Sequence, residues 1–252
     1  MTTILEGRVA LVTGASAGLG RNFAKVLAQA GAAVVVAARR ADALDALVAE
    51  IEADGGRALA VPLDVADAAA IPPAFDAAEA AFGTVDILIN NAGIPDANYA
   101  TKLSLETIDR VIDVDFRAPF LIATEAARRL IAAEKPGRIV NLSSVAAFYY
   151  AQSSASALYA ACKGGIIRMT EALAIEWARY GINVNAIAPG MFESEMTDGF
   201  IARTGGKARE RFPRQRFGKP EDLDSTLLYL VGPGSDLVTG TCITVDDAQT
   251  PR

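Results

Sequence analysis

Short apolar runs alternate with longer helical patterns along nearly the whole chain, and this alternation restricts the fold more than any other feature of the sequence. Strand-like runs occur at Arg8–Thr13, Ala33–Ala38, Ala58–Leu63, Val85–Asn90, Arg138–Leu142, Asn183–Ala188 and Cys242–Val245. Between them, Arg21–Ala30, Ala41–Ala53, Ile71–Phe82, Leu105–Leu130 and Ala157–Tyr180 read as helices. Leu44, Leu47, Val48 and Ile51 in one, and Ile108, Val111, Ile112 and Phe116 in another, are spaced by three and four to share a helix face. Strands joined through helices pair in parallel by right-handed crossovers. The expected fold class is therefore α/β, a doubly wound seven-stranded parallel sheet with helices on both faces. No linker or repeat divides the 252 residues, and 52% apolar content can fill a sizeable core, so one domain over 1–252 is expected. Only the stretch 190–216 interrupts the alternation. Excursions of this kind beyond the strand ends tend to form substrate lids.

The chain contains no histidine. This excludes Ser-His-Asp and Cys-His catalysis, histidine zinc sites and imidazole proton transfer. Proton chemistry must come from Tyr, Lys, Cys or carboxylates. Cys162 and Cys242 are far apart and show no C-x-x-C spacing, so two reduced cysteines and no metal site are expected. With 24 Lys and Arg against 30 Asp and Glu, the net charge of −6 argues against nucleic acid as a partner. No apolar run approaches the ~18 residues of a membrane span. Met1–Arg8 carries Glu6 and no apolar core of a signal peptide, which implies a cytoplasmic location.

The first strand runs into Thr13-Gly14-Ala15-Ser16-Ala17-Gly18-Leu19-Gly20, and a helix follows. Glycines here permit a tight turn and bring the backbone close to a pyrophosphate on the helix N-terminus, the Rossmann-type arrangement. The spacing G-x-x-x-G-x-G departs from the usual fingerprint, and such loops also have purely structural uses. Gly14–Gly18 also spell G-x-S-x-G, the nucleophile elbow of hydrolases. Without histidine that serine has no triad base, so Ser16 is read as a phosphate-contacting or loop-stabilising hydroxyl.

Thr13–Gly20, Asn90-Asn91-Ala92-Gly93, Ser144, Tyr159-Ala160-Ala161-Cys162-Lys163 and Pro189-Gly190 occur in this order, each at the expected place in the alternation. Together they closely resemble the short-chain dehydrogenase/reductase family, over roughly residues 5–246. The resemblance implies an NAD(P)-dependent oxidoreductase of the carbonyl reductase or secondary alcohol dehydrogenase type. The expected activity is NADPH-dependent reduction of a ketone, a small-molecule substrate, reversible as oxidation of a secondary alcohol. Two alternatives stay open: an alcohol dehydrogenase working on a cyclic or aromatic hydroxyl substrate, and a low-turnover cofactor-binding regulator or scaffold.

Reduction of a carbonyl needs an acid for the forming alkoxide. A tyrosine has a reference pKa near ~10, and a cation one helical turn away favours its phenolate. Tyr159 and Lys163, at i and i+4, project from one helix face. The resemblance implies that Lys163 also holds the nicotinamide ribose and that Ser144 orients the carbonyl, with Ser143 as its rival. Asp115 stands where relatives commonly have an asparagine that anchors a water beside the lysine, which implies an altered relay. The gap from Ser144 to Tyr159 is longer than is common, and the surplus falls in Phe148–Ala157. That loop, with Tyr149 and Tyr150, is expected to border the substrate.

The second strand ends Ala37-Ala38-Arg39-Arg40. Ala38 stands where NAD-selective relatives show an acid, and Arg39 and Arg40 suit a 2′-phosphate with nothing acidic opposing them. NADP(H) is therefore expected over NAD(H). By resemblance, Gly14, Ser16, Gly18, Leu19 and Gly20 hold the pyrophosphate and Asp64 and Val65 flank the adenine, though Asp64 also suits a helix N-cap. Asn91, Ala92 and Gly93 run along the ribose and phosphates, while Pro189, Gly190, Phe192 and Ser194 approach the nicotinamide. Met191 and Phe200 join Ser144, Tyr149 and Tyr150 at the substrate. The basic stretch 203–219 is read as a solvated lid and interface in preference to an anion site. Asp246-Asp247-Ala248 replaces the usual D-G-G, which implies an altered C-terminal turn. The helices Leu105–Leu130 and Ala157–Tyr180 are expected to build a dimer contact, in a homotetramer or homodimer.

Overall fold

The computed structural model describes residues 3–96, 98–150, 155–195, 197 and 207–250. Its seven strands are β1 (Val9–Thr13), β2 (Ala33–Ala38), β3 (Arg57–Pro62), β4 (Ile87–Asn90), β5 (Gly137–Leu142), β6 (Ile182–Pro189) and β7 (Cys242–Val245). They form one parallel sheet in the order β3-β2-β1-β4-β5-β6-β7. The order reverses between β1 and its neighbours β2 and β4, which opens a crevice at their carboxyl ends.

Successive strand residues face opposite ways, so the sheet feeds two apolar layers. Val9 and Leu11 of β1 pack into one, with residues of α3 (Ile71–Phe82), α5 (Ala118–Ala132) and α6 (Ala157–Trp177). Ala10 and Val12 pack into the other, with α1 (Gly18–Gln29), α2 (Ala41–Ala53) and α7 (Asp224–Val231). Pro72 lies in the first turn of α3, where backbone N–H groups have no intrahelical acceptor to lose.

Two elements differ from the sequence pattern. Helix α1 begins at Gly18, so its first turn belongs to the glycine loop. The long fourth helix is interrupted: α4 (Leu105–Ile112) passes through a π turn at Asp113–Arg117 into α5. The wider turn takes up an extra residue and shifts the side chains around the axis. The expected stripe therefore splits, with Val111 buried but Ile112 and Phe116 exposed, while Val114 and Asp115 turn inward. Among the described residues no helix is long and apolar enough to cross a membrane, both cysteines are free, and no cluster suits a metal ion.

Candidate active site

The loop between β1 and α1 and the loop after β4 lie against each other at the crevice. Gly14 has φ +67°, and a Cβ there would stand 2.8 Å from Ala92 Cα. A Cβ on Gly20 would fall 2.4 Å from the Gly14 carbonyl oxygen. Thr13 Oγ1 accepts from the backbone N–H groups of Asn91 (3.0 Å) and Ala92 (3.1 Å), and Asn91 Nδ2 donates to the Thr13 carbonyl at 2.9 Å. The Asn91 side chain is thus spent on holding the glycine loop. Leu19 packs on the apolar layer behind it. Ala17 gives α1 no side-chain cap, and its first turn carries no acid. The open N–H groups and positive helix end fit a dinucleotide pyrophosphate.

At the end of β2, Arg40 donates to Ser16 Oγ from Nε (3.2 Å) and Nη2 (3.1 Å). It also pairs with Glu195 through two bonds of 3.1 and 2.9 Å. This corrects the expectation that nothing acidic faces the arginines, because Glu195 returns from 155 positions along the chain. Arg39 is exposed. Asp64 accepts from Ala66 N–H and receives both its bonds from Arg110 Nη2 (3.1 and 3.0 Å). Partial burial acts against its ionisation, but Ala66 and Arg110 outweigh this and hold it below the usual carboxylate range. Val65 is buried in the core.

The second half of the crevice is built by the end of β5 and the first turns of α6. Ser143 is buried and donates to the Lys163 carbonyl at 2.8 Å, so it braces the helix. Ser144 Oγ accepts from Ala146 N–H at 3.1 Å, and its hydroxyl favours ionisation of the Tyr159 phenol. Lys163 Nζ donates to the Leu142 carbonyl (3.1 Å), lies 3.2 Å from Asp115 Oδ1 and sits 5.4 Å from the centre of the Tyr159 ring. Asp115 is fully buried in the π turn, and its Oδ2 accepts from Ile94 N–H at 3.1 Å. Gly93 lies directly against this pair: a Cβ would stand 2.8 Å from Asp115 Oδ1 and 3.4 Å from Lys163 Nζ.

Burial pushes the Asp115 carboxyl up, against the pull of Lys163 and the Ile94 N–H. Burial also raises the Tyr159 phenol; Asp115 and Asp96 add to this, and Lys163 and Ser144 oppose it. For Lys163, burial works against the charged form, but Tyr159 and Asp115 overcome it and hold the ammonium above its ordinary range. The cluster can therefore present a protonated phenol beside a permanent cation, an acid suited to an alkoxide.

The residues expected near the nicotinamide and substrate have these surroundings. The Phe192 side chain is buried in the core, with its ring against Gly218. Pro189 ends β6, and Gly190 donates to Val245 O. Met191 N–H donates to Gln249 at 2.6 Å. Ser194 hydrogen-bonds Thr197 and comes within 3.3 Å of a Cβ built on Gly18, which brings this segment over the glycine loop. Tyr149 and Tyr150 are exposed at the rim, and the Tyr150 hydroxyl accepts from Ser156 N–H. Phe200 lies outside the described residues. In the basic stretch, Arg214 and Arg216 are taken up by Asp247, and Arg209 covers the Phe217 ring. These contacts favour the solvated-surface reading.

Three functional-site features escaped the sequence pattern. Glu195 is one, and Asp96, which caps α6 from the loop after β4, is another. The third is a buried ladder under the site, in which Asn90 donates to Asn141 (2.9 Å), Asn141 to Thr170 (3.0 Å) and Thr170 to the Ile166 carbonyl. These have little local signal, because apart from Thr170 to Ile166 within α6 each contact joins residues distant in the chain.

The profile of the family described as short chain dehydrogenase matches residues 8–204. A 3-oxoacyl-[acyl-carrier-protein] reductase from Synechocystis is 38% identical over 246 residues, 97% of each chain. The crystal structure of a short-chain type dehydrogenase/reductase from Mycobacterium marinum superposes with a TM-score of 0.95 at 33% identity, covering 98% of this chain and 97% of that one. A gluconate 5-dehydrogenase from Burkholderia cenocepacia, in complex with NADP and tartrate, gives a TM-score of 0.90 at 34% identity over 97% and 96% of the two chains. Sequence, fold and crevice thus agree over nearly the full length, and the chain belongs to the short-chain dehydrogenase family, oxidoreductases that work between CH–OH and C=O with a nicotinamide cofactor.

Proposed function

We propose that the protein reduces a ketone with NADPH, reversibly oxidising the corresponding secondary alcohol, as one catalytic domain whose segment 190–216 serves as the lid. The observation that carries this reading is the convergence of Ser144, Tyr159 and Lys163 at one end of β5 and α6. A reduced nicotinamide dinucleotide, held by the glycine loop with Ser16 and Arg40, would supply a hydride for the carbonyl carbon. Tyr159 Oη gives its proton to the carbonyl oxygen, and the Ser144 hydroxyl donates a hydrogen bond to the same oxygen. The phenolate left on Tyr159 is stabilised by the Lys163 ammonium, which Asp115 and the Leu142 carbonyl hold in place. A phenol kept protonated by burial is in the form in which it can donate to a carbonyl oxygen. Arg40 with Ser16, and the exposed Arg39, support a 2′-phosphate, as do relatives solved with NADP.

Tyr159→Phe tests the reading. Its kcat falls about 10²–10⁴-fold while NADPH still binds, followed by nicotinamide fluorescence. A kcat within tenfold of the parent removes Tyr159 as the acid and leaves a cofactor-binding role. In the parent, kcat/KM is higher with NADPH than with NADH; the reverse order defeats the cofactor assignment.

A further inference from the structure

The loop after β4 joins the two halves of the crevice. Asn91 and Ala92 bind Thr13 under the glycine loop, and Gly93 and Ile94 lie against Asp115 and Lys163. Asp96 then reaches the first turn of α6. Its carboxylate, 6% exposed, accepts through Oδ2 from the N–H groups of Leu158 (3.0 Å) and of Tyr159 itself (3.1 Å). Ser156 at the N-cap position contributes no side-chain bond, so Asp96 is the cap of the helix. The catalytic tyrosine is thus gripped by its own backbone, from outside its helix.

Two consequences fall on Tyr159, the third residue of α6. One is mechanical: first-turn N–H groups have no intrahelical acceptor, and without a cap the backbone that aims the phenol loosens. The other is electrostatic. The positive end of a helix favours a negative charge in its first turn, which would help a phenolate. A carboxylate seated on those N–H groups cancels that help. Its charge is poorly compensated, because Oδ1 is also buried and has no hydrogen-bond partner among the described residues. Lys163, the ammonium of the cluster, pairs with Asp115 instead. Among the described residues the phenol is faced by Lys163 on its own helix, Asp115 from the π turn, Ser144 from the end of β5 and Asp96 from this loop. Cys162 adds no charge at neutral pH, since burial pushes its thiol up to about 11. Two carboxylates thus act on the phenol against one ammonium.

We propose that Asp96 is a positioning residue for the acid: seated on the Tyr159 backbone, it fixes the turn that aims the phenol and sets a buried negative charge against the phenolate. This rests on the reading of Tyr159 as the acid and deepens it. Asp96 acts through Tyr159, not on the substrate.

Two variants separate the effects. Asp96→Asn keeps the cap through its carbonyl oxygen and loses the charge, whereas Asp96→Ala loses both. Ionisation of the phenol is followed without any substrate, by NMR of protein carrying carbon-13 at tyrosine Cζ, with the Tyr159 signal assigned by its absence in Tyr159→Phe. Removing the charge favours phenolate, so in Asp96→Asn the titration midpoint moves at least about 0.5 pH unit below the parent's. Hydrogen exchange at the Leu158 and Tyr159 amides stays near the parent rate in Asp96→Asn and rises about tenfold or more in Asp96→Ala. With ethyl acetoacetate as the probe ketone, kcat for NADPH consumption is about tenfold or more lower in Asp96→Ala than in Asp96→Asn, and the NADPH dissociation constant stays within about twofold of the parent's in both. A midpoint that is unmoved or raised in Asp96→Asn overturns the proposal, because Asp96 is then a cap and nothing more. So does parent-like exchange in Asp96→Ala, or an equal kcat in the two variants. Absence of NADPH or NADH consumption by the parent with this and every other ketone rejects the carbonyl-reductase reading instead, while titration and exchange still decide what Asp96 does to Tyr159. Should Asp96→Ala not fold, the midpoint in Asp96→Asn decides.

Discussion

Asp115 differs from an asparagine by a charge placed where charge matters most, fully buried and 3.2 Å from Lys163 Nζ. Its carboxylate opposes the lysine's effect on Tyr159, since a neighbouring negative charge disfavours the phenolate. Asp115→Asn removes that opposition, so the Tyr159 pKa moves down. The ascending limb of the kcat–pH profile for alcohol oxidation, which rises as the phenol ionises, then shifts to lower pH, with kcat at neutral pH increased. A profile that superposes on the parent's makes Asp115 a bystander. The Tyr159–Lys163 pair was legible as an i, i+4 spacing on one helix face, whereas Ser144 was named through the family resemblance. The coordinates add what the sequence could not give against the rival Ser143, which is spent on the Lys163 carbonyl. Asp96 left no trace, because its partners lie 62 and 63 residues away.

The strands and most helices were readable from apolar period, while the joints were not. The π turn at Asp113–Arg117 continues the same helical composition and is distinguished only by how the backbone closes. The C-terminal turn shows the opposite case. Asp247 (φ 50°) and Ala248 (φ 60°) keep a left-handed conformation, which costs non-glycine residues about 1–2 kcal/mol each. Asp247 accepts from Arg214 and Arg216, which ties this turn to the segment after β6. The segment after β6 crosses to β2 through Glu195 and Arg40, whose side chains are 62% and 51% exposed. An exposed pair is worth about 0–1 kcal/mol, too little to withhold Arg40 from a phosphate dianion but enough to compete with it. Glu195→Gln therefore tightens NADPH by up to about fivefold and leaves NADH binding in place, as fluorescence titration reads. Unchanged or weaker NADPH binding shows that Glu195 does not compete for Arg40.

At the scale of the whole molecule, α5 and α6 present an apolar face that the core does not cover. Phe116, Phe120 and Ile175 are exposed there, beside a groove lined by Ala127, Leu173 and Trp177. Contiguous apolar surface of this kind suits association between copies. Light scattering is expected to give a dimer or tetramer, and Phe120→Glu to lower the mass; a parent monomer sinks the assembly reading. The cap on α6 has a consequence in the order of folding. Contacts that bridge more than sixty residues form only after the chain between them has been gathered in. Until the loop after β4 has docked, the first turn of α6 has no side-chain cap, and the end that carries Tyr159 frays. The acid is then assembled only when both halves of the sheet have met, so a half-folded chain carries the tyrosine but not the site.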